Sequence, residues 1–186
     1  MEPTDRELMS RMACGDGEAL APLVERYYQR LYRIAVSYLR DRDEALDVVQ
    51  ETFVRAYQHA SSWNASSEVA PWLMRIAVNH AIDRCRRRKR GLALMEPLAE
   101  GDHDTRVAAE DPSPERQVLG REVSERLGQA LRSLPDTQRA VFVLRHYQDM
   151  SLEEIAQTLG VRLGTVKSSL HRAIQRLRPR LRELRA

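Results

Sequence analysis

The stretch SLEEIAQTLGVRLGTVKSSLHRAIQRLR, residues 151–178, determines how the C-terminal part of the chain folds. Ser151 followed three residues later by Glu154 forms a capping box, a pattern with which helices begin. Apolar residues then recur at helical spacing until Gly160, a residue that readily takes the positive φ found where helices end. The turn Val161–Gly164 follows, and then a second helical pattern. The stretch therefore predicts a helix-turn-helix.

The second helix of this pair combines an apolar stripe with a polar, basic face. The stripe consists of Val166, Leu170, Ala173, Ile174 and Leu177. The polar face carries Lys167, Ser168, Ser169, His171, Arg172 and Arg176. In helix-turn-helix proteins the second helix enters the major groove of DNA, so this face favours duplex binding. An ordinary helical hairpin is the alternative.

Charge is distributed unevenly along the chain. Lys and Arg number 30 against 27 Asp and Glu in 186 residues, a surplus too small to indicate nucleic acid by itself. However, Arg84–Arg90 (RCRRRKR) is almost entirely basic, and residues 162–186 hold seven Arg and one Lys against the single acid Glu183. Residues 96–115, in contrast, hold seven acids and one Arg. Two basic runs on either side of an acidic stretch indicate two contacts with a polyanion.

Several kinds of site are not predicted by the sequence. The two cysteines, Cys14 and Cys85, form neither a disulfide framework nor a zinc-binding spacing, and the histidines are not paired at metal-ligand spacing. No phosphate-binding glycine loop, nucleophile elbow or HExxH motif occurs. We therefore expect a cytoplasmic protein that is not an enzyme, with no cofactor, no metal and no membrane insertion.

The N-terminal half predicts a helical bundle with an unusual third helix. A long apolar stripe between Leu20 and Tyr38 predicts one helix, with Asp16 near its start. The next helix, Glu44–His59, has a core stripe and further apolar residues between its charges: Leu46, Phe53, Val54 and Tyr57. This surplus fits either a helix sandwiched within the bundle or a docking face for another protein.

A polar loop and a helix that ends in basic residues follow. Ala60–Ala70 interrupts the periodicity around Trp63, which either packs on the bundle, the favoured interpretation, or contacts a ligand. Pro71 then opens a helix that continues into Arg84–Arg90. Aromatic, amide and arginine side chains in one loop–helix unit are typical of single-stranded nucleic-acid binding.

Prolines, glycines and acids make residues 91–115 a predicted flexible linker, and helical patterns resume near Arg116. No segment has the period of a β-strand. The sequence therefore predicts an all-α protein with two small helical domains, residues 1–90 and 116–186, joined by a flexible linker. The C-terminal domain contains the helix-turn-helix.

Two motif sets carry a resemblance to a known family. DEALDVVQETFVRAY (43–57) and WLMRIAVNHAIDRCRRRKR (72–90) resemble the core-binding and promoter-melting domain of sigma-70-family sigma factors. LPDTQRAVFVLRHYQDMSLEEIAQTLGVRLGTVKSSLHRAIQRLR (134–178) resembles the family's C-terminal domain. The presence of these two domains alone, on a short tether, resembles the extracytoplasmic-function (ECF) group of bacterial sigma factors.

The resemblance implies three sets of site residues. Residues that dock on the clamp helices of the largest subunit of core RNA polymerase match Asp47, Gln50, Glu51, Val54 and Arg55. Residues that capture a flipped base or contact DNA at the −10 promoter element match Trp63, Asn64, Ser66, Arg75, Asn79, Asp83, Arg86, Arg87, Arg88 and Lys89. Residues that contact the −35 element match Arg162, Thr165, Lys167, Ser168, Ser169, His171, Arg172 and Arg176.

The family implies a sigma factor that binds core polymerase, recognises the −10 and −35 elements of promoter DNA and promotes DNA opening. It also implies an anti-sigma factor as a partner, and a linker that threads the polymerase. One position departs from the family, which usually has Arg where this chain has Ser169, a weaker partner for phosphate. The alternative function is a helix-turn-helix transcriptional regulator that acts without polymerase.

Overall fold

A computed structural model describes residues 2–39, 41–94 and 126–182, apart from the side chains of Lys89 and of residues 91–94 and 181–182. The described residues form eight α-helices and two single 3₁₀ turns, Gly17–Ala19 and Ala60–Ser62, with no strand among them. The helices are α1 (Asp5–Ala13), α2 (Leu20–Tyr38), α3 (Arg42–Gln58), α4 (Val69–Leu94), α5 (residues 126–132), α6 (Asp136–Tyr147), α7 (Leu152–Leu159) and α8 (Leu163–Arg182). The predicted all-α class is confirmed.

Helices α2, α3 and α4 pack against one another and form the N-terminal bundle. Leu31, Val48 and Leu73, one from each helix, are fully buried in its centre. The start of α3 is fixed by Asp41, whose carboxylate accepts hydrogen bonds from the backbone N–H groups at the first turn. The apolar stripes that the sequence predicted for α2 and α3 therefore face a common core.

Helix α1 is fastened to this bundle at its N-terminal end. Asp5 accepts a hydrogen bond from Arg26 at 2.6 Å and another from the hydroxyl of Tyr27. The apolar side of α1, made by Leu8, Met9 and Met12, is buried. Because α1 also packs against the turn Ala60–Ser62, it supports the beginning of the polar loop that precedes α4.

The helix-turn-helix is built from α7 and α8, with α6 packed beside them. The Ser151 hydroxyl accepts from the Glu154 N–H at 3.1 Å, and the Glu154 carboxylate accepts from the Ser151 N–H at 2.6 Å. Gly160 ends α7 with a φ of +64°, a conformation that side chains other than glycine rarely adopt. The predicted capping box and the predicted glycine terminus are both confirmed.

The two halves of the chain lie against each other. Helix α6 packs on α2, and α7 packs on α4. Buried apolar residues of α6 and α7, among them Val141, Leu144 and Ile155, belong to the same continuous cluster as the core of the N-terminal bundle. A second, smaller cluster belongs to the C-terminal half alone: Ala130, Leu131, Leu134, Ala173 and Leu177.

The end of α4 differs from the predicted boundary at residue 90. The helix continues to Leu94, because a single glycine at position 91 lowers helix stability by only about 1 kcal/mol relative to alanine and does not stop the helix. The rest of the predicted linker, residues 95–115, and the predicted resumption near Arg116 lie outside the described residues. No helix in the described ranges is long and apolar enough to cross a membrane.

Candidate nucleic-acid interface

Helix α8 presents its basic side to solvent. Val166, Ala173 and Leu177 are buried and hold the helix against its neighbours. The side chains on the other side are exposed: Lys167, Ser168, His171, Arg172 and Arg176. An exposed row of amine, imidazole and guanidinium donors on the second helix of a helix-turn-helix has the chemistry to contact base edges and phosphates in the major groove.

Two assignments on α8 were wrong. Ser169 is only 8% exposed, although the sequence had placed it on the polar face, and Ile174 is 42% exposed although it had been placed in the stripe. The reason is helical geometry. Ser169 follows Val166 by three residues and precedes Ala173 by four, so it lies on the packed side, whereas Ile174 is rotated about 100° from Ala173.

Two backbone N–H groups at the start of α8 are already hydrogen-bonded within the protein. The backbone N–H groups of Thr165 and Val166 both donate to the carbonyl oxygen of Arg162, at 2.9 and 3.2 Å. These two groups therefore already have acceptors within the helix. The side chains of Arg162 and Thr165 are exposed.

In the loop before α4, Trp63 faces the protein interior. Its side chain is 9% exposed, and its indole Nε1 is buried without a hydrogen-bond partner in the described structure. The interpretation that Trp63 packs on the bundle is confirmed, and its assignment to a base pocket stays a prediction. Asn64 and Ser66 remain exposed, and the Asn64 side-chain oxygen accepts from the Ser66 N–H at 3.0 Å and from its hydroxyl at 2.8 Å.

Helix α4 brings polar residues into one line. Arg75, Asn79 and Asp83 are exposed and follow one another at intervals of four residues, so they share one face of the helix. Arg86, Arg87 and Arg88 are exposed one to two turns further along the same helix. Arg86 and Arg87 therefore continue this face, whereas Arg88 is rotated by about 200° from Arg86, and the side chain of Lys89 lies outside the described residues.

Acidic side chains partly neutralise the basic run at the end of α4. Arg84 pairs with Asp47 of α3 at 3.0 Å, and Arg88 pairs with Glu44 of α3 at 3.6 Å. A third pair, between Arg86 and Asp136 at 3.3 Å, joins α4 to the first turn of α6. Sequence spacing gave no signal for these pairs, because the paired residues are 37 or more positions apart.

The outer face of α3 combines exposed apolar groups with charges. Val54 and Tyr57 are 47% and 37% exposed, whereas Phe53 belongs to the core. Asp47 and Gln50 lie exposed on the same helix. Burial between neighbouring helices is therefore wrong for Val54 and Tyr57, and correct for Phe53.

Charged groups on α3 and α4 meet around a half-buried histidine. Arg55 donates to Glu51 at 2.7 Å, and this hydrogen bond holds the pKa of Glu51 below its usual value. Burial lowers the pKa of His80, Arg55 and Arg84 lower it further, and Glu51 and Asp83 oppose the shift. His80 is therefore held in its neutral form at neutral pH.

Residues that the sequence did not indicate join the two halves of the chain. Arg139 is 1% exposed, donates to the carbonyl oxygens of Arg132 and Leu134 at 2.6 and 2.9 Å, and lies over the ring of Tyr38. The Tyr38 hydroxyl donates to the carbonyl oxygen of Asp136 at 3.2 Å. Spacing does not distinguish buried Arg139 from exposed arginines, so no local signal was available.

Comparisons with known proteins agree with this arrangement. The model of sigma-70 region 2 matches residues 23–91, and the model of sigma-70 region 4 matches residues 124–177. The "ECF RNA polymerase sigma factor SigW" of Bacillus subtilis is 34% identical over 99% of this chain and 100% of its own length. The "RNA polymerase sigma-H factor" of Pseudomonas aeruginosa is 33% identical over 96% of each chain.

Solved structures show the same fold. The structure of CnrH in complex with the cytosolic domain of CnrY is similar with a TM-score of 0.70 and 27% identity, over 96% of this chain and 97% of that one. The sigma factor RpoE of Bartonella quintana, in complex with the anti-sigma factor NepR, is similar with a TM-score of 0.70 and 25% identity, over 87% and 96%. The chain therefore belongs to the sigma-70 family of sigma factors and, within it, to the ECF group.

Proposed function

We propose that this sigma factor uses three separate surfaces to join core RNA polymerase to a promoter. The outer face of α3 docks on the polymerase, the loop 61–70 and α4 engage the −10 element, and α8 reads the −35 element. The observation that carries the proposal is the exposed basic side of α8, since its other side is packed and leaves this row free for the major groove.

For the polymerase surface, the exposed apolar residues of α3 supply the main contact. Val54 and Tyr57 form a patch with Asp47, Gln50 and the Glu51–Arg55 pair around it. Interfaces between proteins typically have an apolar centre surrounded by polar residues. We assign this patch to the clamp helices of the largest polymerase subunit, as the family resemblance implies.

For the −10 element, exposed amide and hydroxyl groups of Asn64 and Ser66 are placed to meet an unstacked base. Arg75 and Asn79 extend this surface along α4, and Arg86, Arg87 and Arg88 supply positive charge for the phosphate backbone. Trp63 supports the loop from the protein interior, and we do not include it among the −10 contacts. Together these groups support DNA opening by holding the melted strand.

For the −35 element, Arg172, Lys167 and His171 are the residues that face the groove. Arg can bind guanine O6 and N7 with two hydrogen bonds, while Lys and His donate to bases or phosphates. Arg162 and Arg176 flank them and contact the backbone. Ser169 is removed from this set because it is buried.

We place the protein in the cytoplasm, where polymerase and chromosomal DNA are. An anti-sigma factor is a further proposed partner, because the structurally similar RpoE of Bartonella quintana was solved with the anti-sigma factor NepR. The family contains transcription initiation factors and not enzymes, so no catalytic residue is assigned.

The test that separates this proposal from a polymerase-independent regulator is co-elution. The purified chain is mixed with core polymerase and run on a sizing column, with and without a labelled promoter fragment. We expect a complex with core polymerase, and promoter binding that depends on it. Tight binding of the chain alone to duplex DNA, with no polymerase complex, would support the regulator instead.

A further inference from the structure

We propose that Gln175 of α8 is a further specificity-determining residue, and that it recognises an adenine in the −35 element. This inference rests on the proposed function, in which the exposed side of α8 enters the major groove. The sequence had not indicated Gln175 as part of this surface. Its position on the helix, its unpaired amide and the hydrogen-bonding chemistry of that amide together assign it this role.

Gln175 lies on the side of α8 that faces away from the protein. It follows Val166 by nine residues, which is a rotation of about 180° in an α-helix, so the two residues lie on opposite sides. Val166 is fully buried and Gln175 is exposed. Because Ala173 and Leu177 are buried together with Val166, the packed side of the helix is well defined and Gln175 is directed to solvent.

Four exposed residues of α8 have the spacing with which a single helix reads the major groove. They lie at positions i, i+3, i+4 and i+7, which share one stripe of a helix. These residues are Ser168, His171, Arg172 and Gln175. In homeodomains, four residues with the same spacing on one helix read the major groove. Gln175 therefore completes a stripe that would otherwise end at Arg172.

The distance along the helix places Gln175 within one or two base pairs of Arg172. Three residues of an α-helix advance by about 4.5 Å along its axis, and successive base pairs are about 3.4 Å apart. The whole stripe, from Ser168 to Gln175, is about 10 Å long and corresponds to roughly three base-pair steps for a helix that lies along the groove. A base pair next to the one that Arg172 contacts is therefore within reach of Gln175.

The side-chain amide of Gln175 is available to a base and matches adenine. Among the described residues, no hydrogen bond or ion pair involves this side chain. A glutamine amide can accept from adenine N6 and donate to adenine N7 at the same time. In the major groove guanine offers two acceptors, cytosine offers a donor, and thymine offers an acceptor and a methyl group. Adenine is therefore the base that satisfies both halves of the amide.

The absence of charge distinguishes Gln175 from the arginines beside it. A contact between an arginine and a phosphate releases counterions and makes binding depend on salt, whereas a contact between an amide and a base does not. Arg176→Ala should therefore weaken binding to all sequences alike and lower the slope of log Kd against log salt by about one. Gln175→Ala should change the preference at one base pair and leave this slope unchanged.

The test measures binding of the holoenzyme to a promoter that the wild-type holoenzyme selects from a random library, with every single base substitution in the −35 element. We expect one base pair at which adenine is preferred, and Gln175→Ala should lower that preference by about fivefold or more. Preferences at the other base pairs should be kept. Gln175→Glu retains an acceptor and loses the donor, so the preference at the same base pair should change from adenine to cytosine.

Gln129→Ala is the matched control, because Gln129 is exposed on α5, and α5 packs against the opposite side of α8. It should leave every base preference unchanged, and circular dichroism melting checks that each variant is folded. An equal loss of binding to all sequences with Gln175→Ala, or base preferences that neither Gln175 variant changes, overturns the inference and leaves the proposed function standing. If Arg172→Ala also leaves the −35 preferences unchanged, the proposed function is overturned as well.

Discussion

Arg139 of α6 stacks on Tyr38 of α2, with 4.6 Å between the guanidinium carbon and the ring centroid. The same guanidinium donates to two backbone carbonyl oxygens, those of Arg132 at the end of α5 and of Leu134 just after it. One buried side chain thus closes the end of α5, orients α6 and joins the helix-turn-helix half to the N-terminal bundle. The stability of the C-terminal half and its packing on the N-terminal bundle are therefore linked through this residue.

Replacing Arg139 should destabilise the protein. Arg139→Ala leaves the carbonyl oxygens of Arg132 and Leu134 without this donor and creates a cavity beside Tyr38. We expect the free energy of unfolding to fall by about 2–4 kcal/mol, measured by urea titration with circular dichroism. Arg33→Ala, on the exposed side of α2, is the control and should change it by less than about 0.5 kcal/mol. Equal effects of the two substitutions would contradict the structural role of Arg139.

Substitutions at two positions of α8 that lie three residues apart should affect −35 binding differently. Arg172→Ala should cost about 1–3 kcal/mol of promoter binding and relax one base position, because it removes a groove-facing guanidinium. Ser169→Ala should change affinity by less than about twofold, because its side chain is buried and does not face the groove. The measurement is holoenzyme binding to a promoter with single substitutions in the −35 element. A loss for Ser169→Ala as large as that for Arg172→Ala would show that Ser169 contacts DNA.

Substitutions on the docking face of α3 should leave folding unchanged and weaken the binding of core polymerase. Val54→Asp places a charge in the exposed apolar patch, and we expect the affinity for core polymerase to fall by more than about 1 kcal/mol. Gln50→Ala should weaken the same complex without altering the choice of promoter motif. Gln29→Asp, exposed on α2, is the control. If Val54→Asp binds polymerase as well as Gln29→Asp does, α3 is not the docking helix.

The environment of His80 predicts a pH dependence of stability. Burial and the arginines around it place the pKa of His80 below the usual 6.5, so the unfolded chain binds a proton more readily than the folded chain. This contribution to stability is present above about pH 6.5 and is lost as the pH falls through the folded pKa. Proton NMR should give a midpoint below 6.5, and His80→Gln should flatten the stability profile in that range. A midpoint above 6.5 would reverse the sign and contradict the assignment.

Local patterns were readable from the sequence because their causes are local. The Ser151–Glu154 capping box and the Gly160 terminus each depend on residues within one helical turn, and both were predicted correctly. The apolar stripe predicted for α8 was partly wrong, because Ser169 is buried and Ile174 is exposed. Periodicity identifies a helix more reliably than it identifies the edge of the buried side.

The contacts between distant segments could not be predicted. Arg30 and Gln148 are separated by 118 residues, and neither has a local pattern that indicates its partner. The basic run was predicted to contact a polyanion, and the sequence did not indicate that Arg84 and Arg88 face acids of α3. Charge along a chain shows where a polyanion could bind, but only the packing of helices determines which charges are already paired.

The most direct measurement is the mapping of transcript start sites from a library of randomised promoters, transcribed by core polymerase with and without this protein. We predict start sites that depend on the protein and share two upstream motifs near −10 and −35. With Arg172→Ala, the motif near −35 should lose information while the motif near −10 is kept. Start sites identical to those of core polymerase alone, or an equal loss of both motifs with Arg172→Ala, would contradict a two-surface promoter reader.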